Sequence, residues 1–401
     1  MSHPRNARST LLAIGVLLAI MASGCGAAQT PTATTEPVAP VAPVATVAPV
    51  ATAEGAGADL AYVQQRIEAA MAMPTFKFNG SPLDASKAKG KTIFNIPTSS
   101  AVPMNEIIHL TQAKVAASLG INYVEYTNQG TPTEWAAGIS QAINQKADII
   151  ILTGAPNPDL LGPQLAQAAE AGIPVIVSHQ YDLAVKPPAN IAGLIRVPFS
   201  EAGRLLADWV ILDSKGTANA LLLTTNEFNY ASLPLGKAFE DEIAKYCPKC
   251  KVTNQDYRLV DWPTRIQTGV STALTADPSI TYVVPCFDAM TQWAAPGVTA
   301  AGRSSDVKIA TFNGTPAILK MIQDKNIVAM EVGENMDWVA YSNIDQALRV
   351  LTGMPPVEDE MFPLRVFTAA NVNEAGIPPA YNTGYGDAYL AGYLKLWGVS
   401  Q

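Results

Sequence analysis

The sequence predicts an α/β protein with parallel sheets flanked by helices, arranged as two lobes. Three observations carry that reading. Apolar runs of strand length alternate with longer helix-period stretches from residue 92 to residue 351, and strict alternation of this kind builds parallel sheets covered on both faces. Prolines open many of the helical stretches and glycines close several of them, the usual asymmetry of helix ends. About ten strands can be counted, too many for one comfortable doubly wound sheet, so two sheets are expected.

The elements follow in order. Thr92 to Ile96 reads as a buried strand, and a helix runs from about Pro103 to Leu119, ending at Gly120. Strands at 121–126, 148–152 and 173–177 are separated by helices at 132–146 and 158–171. A strand near 191–195 leads to a helix at 200–212. Further strands fall near 218–223, 252–257, 280–284, 307–311 and 327–332, with helices near 234–246, 263–275, 289–300, 316–325 and 338–351. In parallel α/β sheets, ligands bind beyond the carboxyl ends of the strands. Two such domains facing one another form a cleft that can close on a small molecule.

The flanks differ from this body. Arg5 and Arg8 precede an apolar run from Leu11 to Met21, which ends in Ala22-Ser23-Gly24-Cys25. A basic start, a short apolar stretch and small residues before a cut site make a secretory signal, and a bilayer span needs about 20 apolar residues. The Cys at the cut site resembles a bacterial lipobox, with Ala22 where Leu is usual, so Cys25 is expected to be acylated. An ordinary signal peptide with an incidental Cys is the alternative. Residues 26–59 contain no aromatic residue, Lys or Arg, and repeat Val-Ala-Pro and Val-Ala-Thr. Such a segment cannot bury enough apolar area to offset chain entropy; its prolines make it a semi-stiff spacer reaching on the order of 100 Å if extended. Leu60, Val63, Ile67 and Met71 have helical spacing, expected as a helix docked on the first lobe. Tyr385, Tyr389, Tyr393 and Trp397 recur every four residues and are read as packing.

Composition narrows the function. The chain has 401 residues, 48% hydrophobic and only 15% charged, so a large core is expected. The net charge is −8, from 26 Lys and Arg against 34 Asp and Glu, and no basic run suggests nucleic acid as a partner. Cys247 and Cys250 form Cys-Pro-Lys-Cys, read as a local disulfide closing the turn from a helix into a strand, as suits an exported chain. A redox-active pair is the alternative, since this spacing lowers thiol pKa values, but such motifs open helices and this one follows one. Zinc at that pair would need two further ligands, and the chain has only His3, His109 and His179. Cys286 is left as a buried free thiol. Gly-x-Ser-x-Gly and His-Glu-x-x-His are absent. No catalytic residue, metal or cofactor is expected.

Several segments together carry a family resemblance. They are Asp148-Ile-Ile-Ile-Leu-Thr, the run Ala-Gln-Ala-Ala-Glu-Ala-Gly-Ile-Pro-Val-Ile-Val ending at Val177, Asp277-Pro-Ser-Ile-Thr-Tyr-Val-Val, Phe287-Asp-Ala-Met, Val307-Lys-Ile-Ala-Thr-Phe-Asn-Gly and Asp345-Gln-Ala-Leu-Arg-Val-Leu-Thr-Gly. Over roughly residues 90–370 the chain resembles the ribose-type, type I periplasmic solute-binding proteins, relatives of the ligand domain of LacI-type repressors. A signal segment, with no helix-turn-helix before the domain, points away from the repressor branch. The resemblance implies two Rossmann-like lobes joined by three crossovers, with ligand between them. The expected division is 1–24 signal peptide, 25–59 tether, 60–194 first lobe with about 314–335 returning to it, and 195–313 second lobe with about 336–401 adding to the second lobe and hinge.

Ligand positions follow from the resemblance. In the first lobe they are Thr98, Ser99, Ser100, Met104 and Asn105 after the first strand, Thr153 at the end of the third, and His179 and Gln180 after the fourth. Sugar binders commonly carry Asp-Arg where His179-Gln180 stands. In the second lobe they are Arg196 by the first crossover, Asn226, Trp262, Phe287, Asp288, Asn313 and Glu334. Phe287-Asp288 replaces a common Asn-Asp, and Asn313 stands where many relatives have Asp. These departures make the pocket less charged and one side more aromatic. A neutral polar solute is expected, a monosaccharide or polyol first, with a nucleoside or another small metabolite as the alternative. The expected protein is a monomer outside the cytoplasm, held to the membrane by its lipid and passing its solute to an ABC permease. A receptor presenting its ligand to a membrane sensor would use the same fold.

Overall fold

The computed structural model describes residues 58–399 except 155, 184 and 187. The signal segment, Cys25 and nearly all of the expected tether lie outside the described residues. The described chain opens with helix α1 (Leu60–Met71), capped by the Asp59 carboxylate. One sheet holds β1 (Thr92–Pro97), β2 (Asn122–Glu125), β3 (Ile149–Thr153), β4 (Val175–Ser178) and β5 (Gly193–Ile195), ordered β2-β1-β3-β4-β5 and parallel throughout. Every residue of β3, β4 and β5 is buried, which is why they read as continuous apolar runs. Helices α2 (Pro103–Ser118), α3 (Pro132–Asn144) and α4 (Gly162–Glu170) connect them.

The second sheet holds β6 (Asn219–Thr224), β7 (Lys251–Asp256), β8 (Tyr282–Pro285), β9 (Lys308–Asn313), β10 (Val328–Gly333) and β11 (Arg365–Thr368). Their order is β11-β10-β9-β8-β6-β7, parallel except that β11 runs antiparallel to β10. Helices α5 (Phe199–Asp213), α6 (Ser232–Tyr246), α7 (Trp262–Ala276), α8 (Asp288–Ala300) and α9 (Pro316–Gln323) flank it. The expected fold class is therefore present: two mostly parallel sheets, each with helices. Cys247 and Cys250 are joined by a disulfide between α6 and β7, and Cys286 is free and buried.

The chain is divided between the lobes differently from expectation. Residues 314–335 do not return to the first lobe. They form α9 and β10 of the second sheet, where Phe312 pairs with Val332 and both enter one core with Ile318 and Met330. Helix α10 (Met336–Leu351) instead crosses to the first lobe, where Trp338, Ile344 and Leu348 pack with Ile108, Ile176 and Ile195. Helix α11 (Ala388–Leu396) follows it there, with Tyr389, Tyr393 and Trp397 against Trp338 and Tyr341. Helix α1, expected on the first lobe, docks on the second: Val63 and Ile67 join the α5 core, and Arg66 pairs with Asp208 at 2.6 Å and Glu201 at 2.8 Å. Crossovers at β5–α5, β10–α10 and α10–β11 therefore join the lobes, and each terminal helix adds a further passage of chain.

Candidate functional site between the lobes

The carboxyl ends of β1, β3 and β4 form the first-lobe wall. Backbone bonds step across them: Thr98 N–H donates to Thr153 O at 2.8 Å, and Gly154 N–H to Ser178 O at 3.1 Å. Asn105, in the first turn of α2, is 2% exposed. Its Nδ2 donates to Ser99 O at 3.0 Å, while its Oδ1 has no hydrogen-bond partner in the protein. A Cβ at Gly154 would overlap that amide, so only glycine at position 154, here at φ +68°, lets Asn105 reach the strand ends. Thr98 O is capped by Trp135 Nε1 at 2.8 Å, Ser100 Oγ accepts from Asn128 N–H, and Thr153 Oγ1 donates to Asn95 Oδ1 at 2.6 Å. Met104 packs into the first-lobe core.

His179, Glu334 and Asn313 meet at the seam between the sheets. His179 Nε2 lies 3.0 Å from both Glu334 oxygens, and Asn313 Nδ2 donates to Glu334 Oε1 at 3.0 Å. Burial alone would lower the His179 pKa; the Glu334 charge and hydrogen bond more than offset it, and the net shift is upward. The backbone is strained on both sides of this contact. His179 has φ +59° and Asn313 φ +145°, conformations that cost on the order of 1–3 kcal/mol and cluster at functional sites. Beside them, Gln180 is buried with its Oε1 unpartnered, and the Tyr181 hydroxyl, also buried, has no partner. The arrangement supplies several hydrogen-bond acceptors and one imidazole from neighbouring strand ends.

The other expected positions have these surroundings. Arg196 is not a free cation: Nε and Nη2 donate to Val185 O, and Nη1 donates to Glu358 O at 2.6 Å. Three backbone-directed bonds make it a clamp between two loops. Trp262 is 7% exposed in the second-lobe core, its Nε1 donating to Tyr257 O at 3.3 Å. The half-exposed ring on that side is Phe228, which meets Trp262 and Phe287 edge-on at 6.2 Å. Asn226 is exposed, with its N–H held by Asp256. Asp288 is buried at the start of α8, where Oδ2 accepts from Thr315 N–H and Oγ1. Sequence reasoning missed Tyr181, Tyr230 and Asp159, which join the lobes: the Tyr181 and Tyr230 rings lie 4.5 Å apart, and Tyr230 OH donates to Asp159. Tyr181 lies two residues beyond His179 at a strand end, a usable signal; nothing local marks Tyr230.

Comparison with known proteins agrees with this architecture. No curated protein sequence matches the chain. An ABC sugar transporter subunit from Rhodobacter sphaeroides 2.4.1 superposes with a TM-score of 0.62 at 20% identity, covering 71% of this chain and 99% of its own. A solute-binding protein of an ABC transporter from Agrobacterium vitis, with bound allitol, gives 0.62 at 20% identity over 72% and 98%. One from Bacillus halodurans C-125, with bound myo-inositol, gives 0.62 at 19% identity over 73% and 99%. At these identities the likeness is one of fold. The periplasmic binding protein domain model matches residues 106–355, more than half of the chain, and the chain belongs to that family.

Proposed function

We propose that the chain is the solute-binding component of an ABC transporter, taking a neutral polyhydroxylated ligand, a monosaccharide or polyol, between its lobes and passing it to a permease. The observation that carries this is the set of unpartnered acceptors at the first-lobe strand ends. Asn105 Oδ1 and Gln180 Oε1 are buried without partners, and a buried acceptor left unmade costs about 1–3 kcal/mol. Hydroxyl groups donate to such atoms and also accept, whereas a carboxylate would meet them with like polarity. Arg196, the one cation expected here, is spent on backbone carbonyls. The bound allitol and myo-inositol of two structural relatives are consistent with the same ligand chemistry. A lipid on Cys25 and the Pro-rich segment after it would hold this domain near its transporter.

A thermal-shift and calorimetric screen over sugars, polyols and nucleosides tests the reading. Binding of a neutral polyol or sugar is expected, with Gln180→Ala and Asn105→Ala each weakening it about five- to tenfold, the worth of about 1 kcal/mol. If only carboxylates bind, or if both variants bind as the wild type does, the ligand class or its placement is wrong.

A further inference from the structure

A histidine–carboxylate cluster sits at the free edge of the first sheet, outside the residues treated above. Strand β2 is that edge, and α2 packs beside it. Glu106 and His109 are one turn apart on α2, so their side chains leave the same face. Glu125 ends β2. One ligand atom from each of the three lies within 4.8 Å of the others. His109 Nδ1 and a Glu125 carboxylate oxygen approach as an ion pair. Both atoms are shielded from solvent, yet neither has a hydrogen bond of acceptable geometry. Two ligand atoms thus converge as an ion pair, and Glu106 stands exposed beside them. The imidazole is also held from the strand side: the Tyr123 ring lies 5.5 Å from it, and Tyr123 OH is anchored to Gln112 Oε1 at 2.6 Å.

We propose that Glu106, His109 and Glu125 form a divalent transition-metal site, with Zn²⁺ as the ion whose preferences fit. One imidazole and two carboxylates are ligands zinc accepts, leaving a fourth position to water. Calcium and magnesium prefer all-oxygen shells of higher coordination number, and an imidazole favours the borderline metals. Zinc–ligand bonds of about 2.0–2.2 Å put donor atoms roughly 3.3 Å apart, so the ion would part the His109–Glu125 pair, and the exposed Glu106 side chain can rotate to join them. The ion would add a further tie between the helix and the sheet's edge strand, beside the Tyr123–Gln112 hydrogen bond.

The test uses the full chain, without a polyhistidine tag and stripped of metal, titrated with zinc chloride by calorimetry and followed by thermal unfolding. One Zn²⁺ per chain at micromolar or tighter affinity is expected, with a higher unfolding temperature. Glu106→Gln, at an exposed position that should leave folding intact, should weaken zinc roughly tenfold or more, and His109→Ala should abolish binding. The proposal is overturned if zinc does not bind below about 100 µM, or if binding survives unchanged in both variants.

Discussion

Asp288 and Glu331 are buried carboxyl groups in direct contact, and only one of them can comfortably carry charge. Burial raises both pKa values, and the Asp288 charge pushes Glu331 further up. Asp288 Oδ1 and Glu331 Oε2 have no other partner, so a proton shared between them satisfies both. The sign of the pH effect follows. In the unfolded chain these groups titrate near 4; the folded protein keeps a proton the unfolded one has released. Their stabilising contribution is full below pH 4 or so and is lost as pH rises through the folded values. His179 acts in the same direction from a higher starting point. Its folded pKa is raised, so its contribution is full below the unfolded value near 6.5 and is lost above its folded value. Glu331→Gln imitates the protonated acid: it can still accept from Gly314 N–H, as Glu331 does at 2.6 Å, and can donate to Asp288. Denaturant unfolding over a pH series should show a flatter profile and a gain of about 1 kcal/mol or more at pH 8. His179→Gln should flatten only the part above about pH 6.5. A Glu331→Gln profile as steep as wild type would sink the shared proton.

At the scale of elements, the crossing of α5 and α6 sets a close constraint. Gly203 is buried in α5, and a Cβ there would overlap the Leu235 carbonyl of α6. Alanine normally favours a helix over glycine by about 1 kcal/mol. Here the obstacle is backbone, which cannot swing aside, so Gly203→Ala should cost about 1–3 kcal/mol, read as a lower denaturation midpoint. This contact is invisible in the sequence, where Gly203 looks like a helix weakness. What was legible were features carried by local pattern. Most strands from β1 to β10 follow from apolar runs between Pro and Gly punctuation, the mostly exposed β7 from its place in the alternation, and the α11 stripe from its four-residue repeat. Strand β11 was missed because Arg365–Thr368 is a four-residue antiparallel return with no helix of its own. The lobe that α1 and α10 choose was also illegible, since an apolar stripe fits any complementary sheet face. For α1 the choice rests on Arg66 meeting Asp208 and Glu201, residues more than a hundred positions away. Within the candidate site, residues at or beside strand ends such as Asn105, His179 and Gln180 came from the resemblance. Arg196 turns its guanidinium to the Val185 and Glu358 carbonyls, a direction not legible because position along the chain says nothing about which way a long side chain turns. Glu106-x-x-His109 stood in plain view, but Glu125 joins it only through strand pairing.

For the whole molecule, the contact that matters is the one joining the lobes away from the crossovers. Asp159 belongs to a short turn after β3, and Tyr230 to the loop before α6. The Tyr230 hydroxyl donates to Asp159 Oδ2, while its ring stacks obliquely on Tyr181 at 48°. The hydrogen bond to Asp159 raises the Tyr230 pKa, so the phenol stays a donor throughout the neutral range. A bond that exists only when the lobes are together stabilises the closed state by its own net worth and nothing else. For a partly exposed pair that is about 1 kcal/mol, or roughly a fivefold change in the closed-to-open ratio. Tyr230→Phe keeps the ring and removes the donor. It should weaken the apparent affinity for a sugar or polyol ligand by up to about fivefold, mainly through faster dissociation. Its unfolding temperature without ligand should stay near wild type, because each lobe keeps its own core. Asp159→Asn retains an acceptor and should lose less. Small-angle scattering supplies the structural readout: unliganded Tyr230→Phe should show a larger radius of gyration than wild type, and saturating ligand should bring the two together. Equal radii and equal affinities would mean that the crossovers and the ligand alone set closure. A lowered unfolding temperature without ligand would mean that the contact contributes to folding instead.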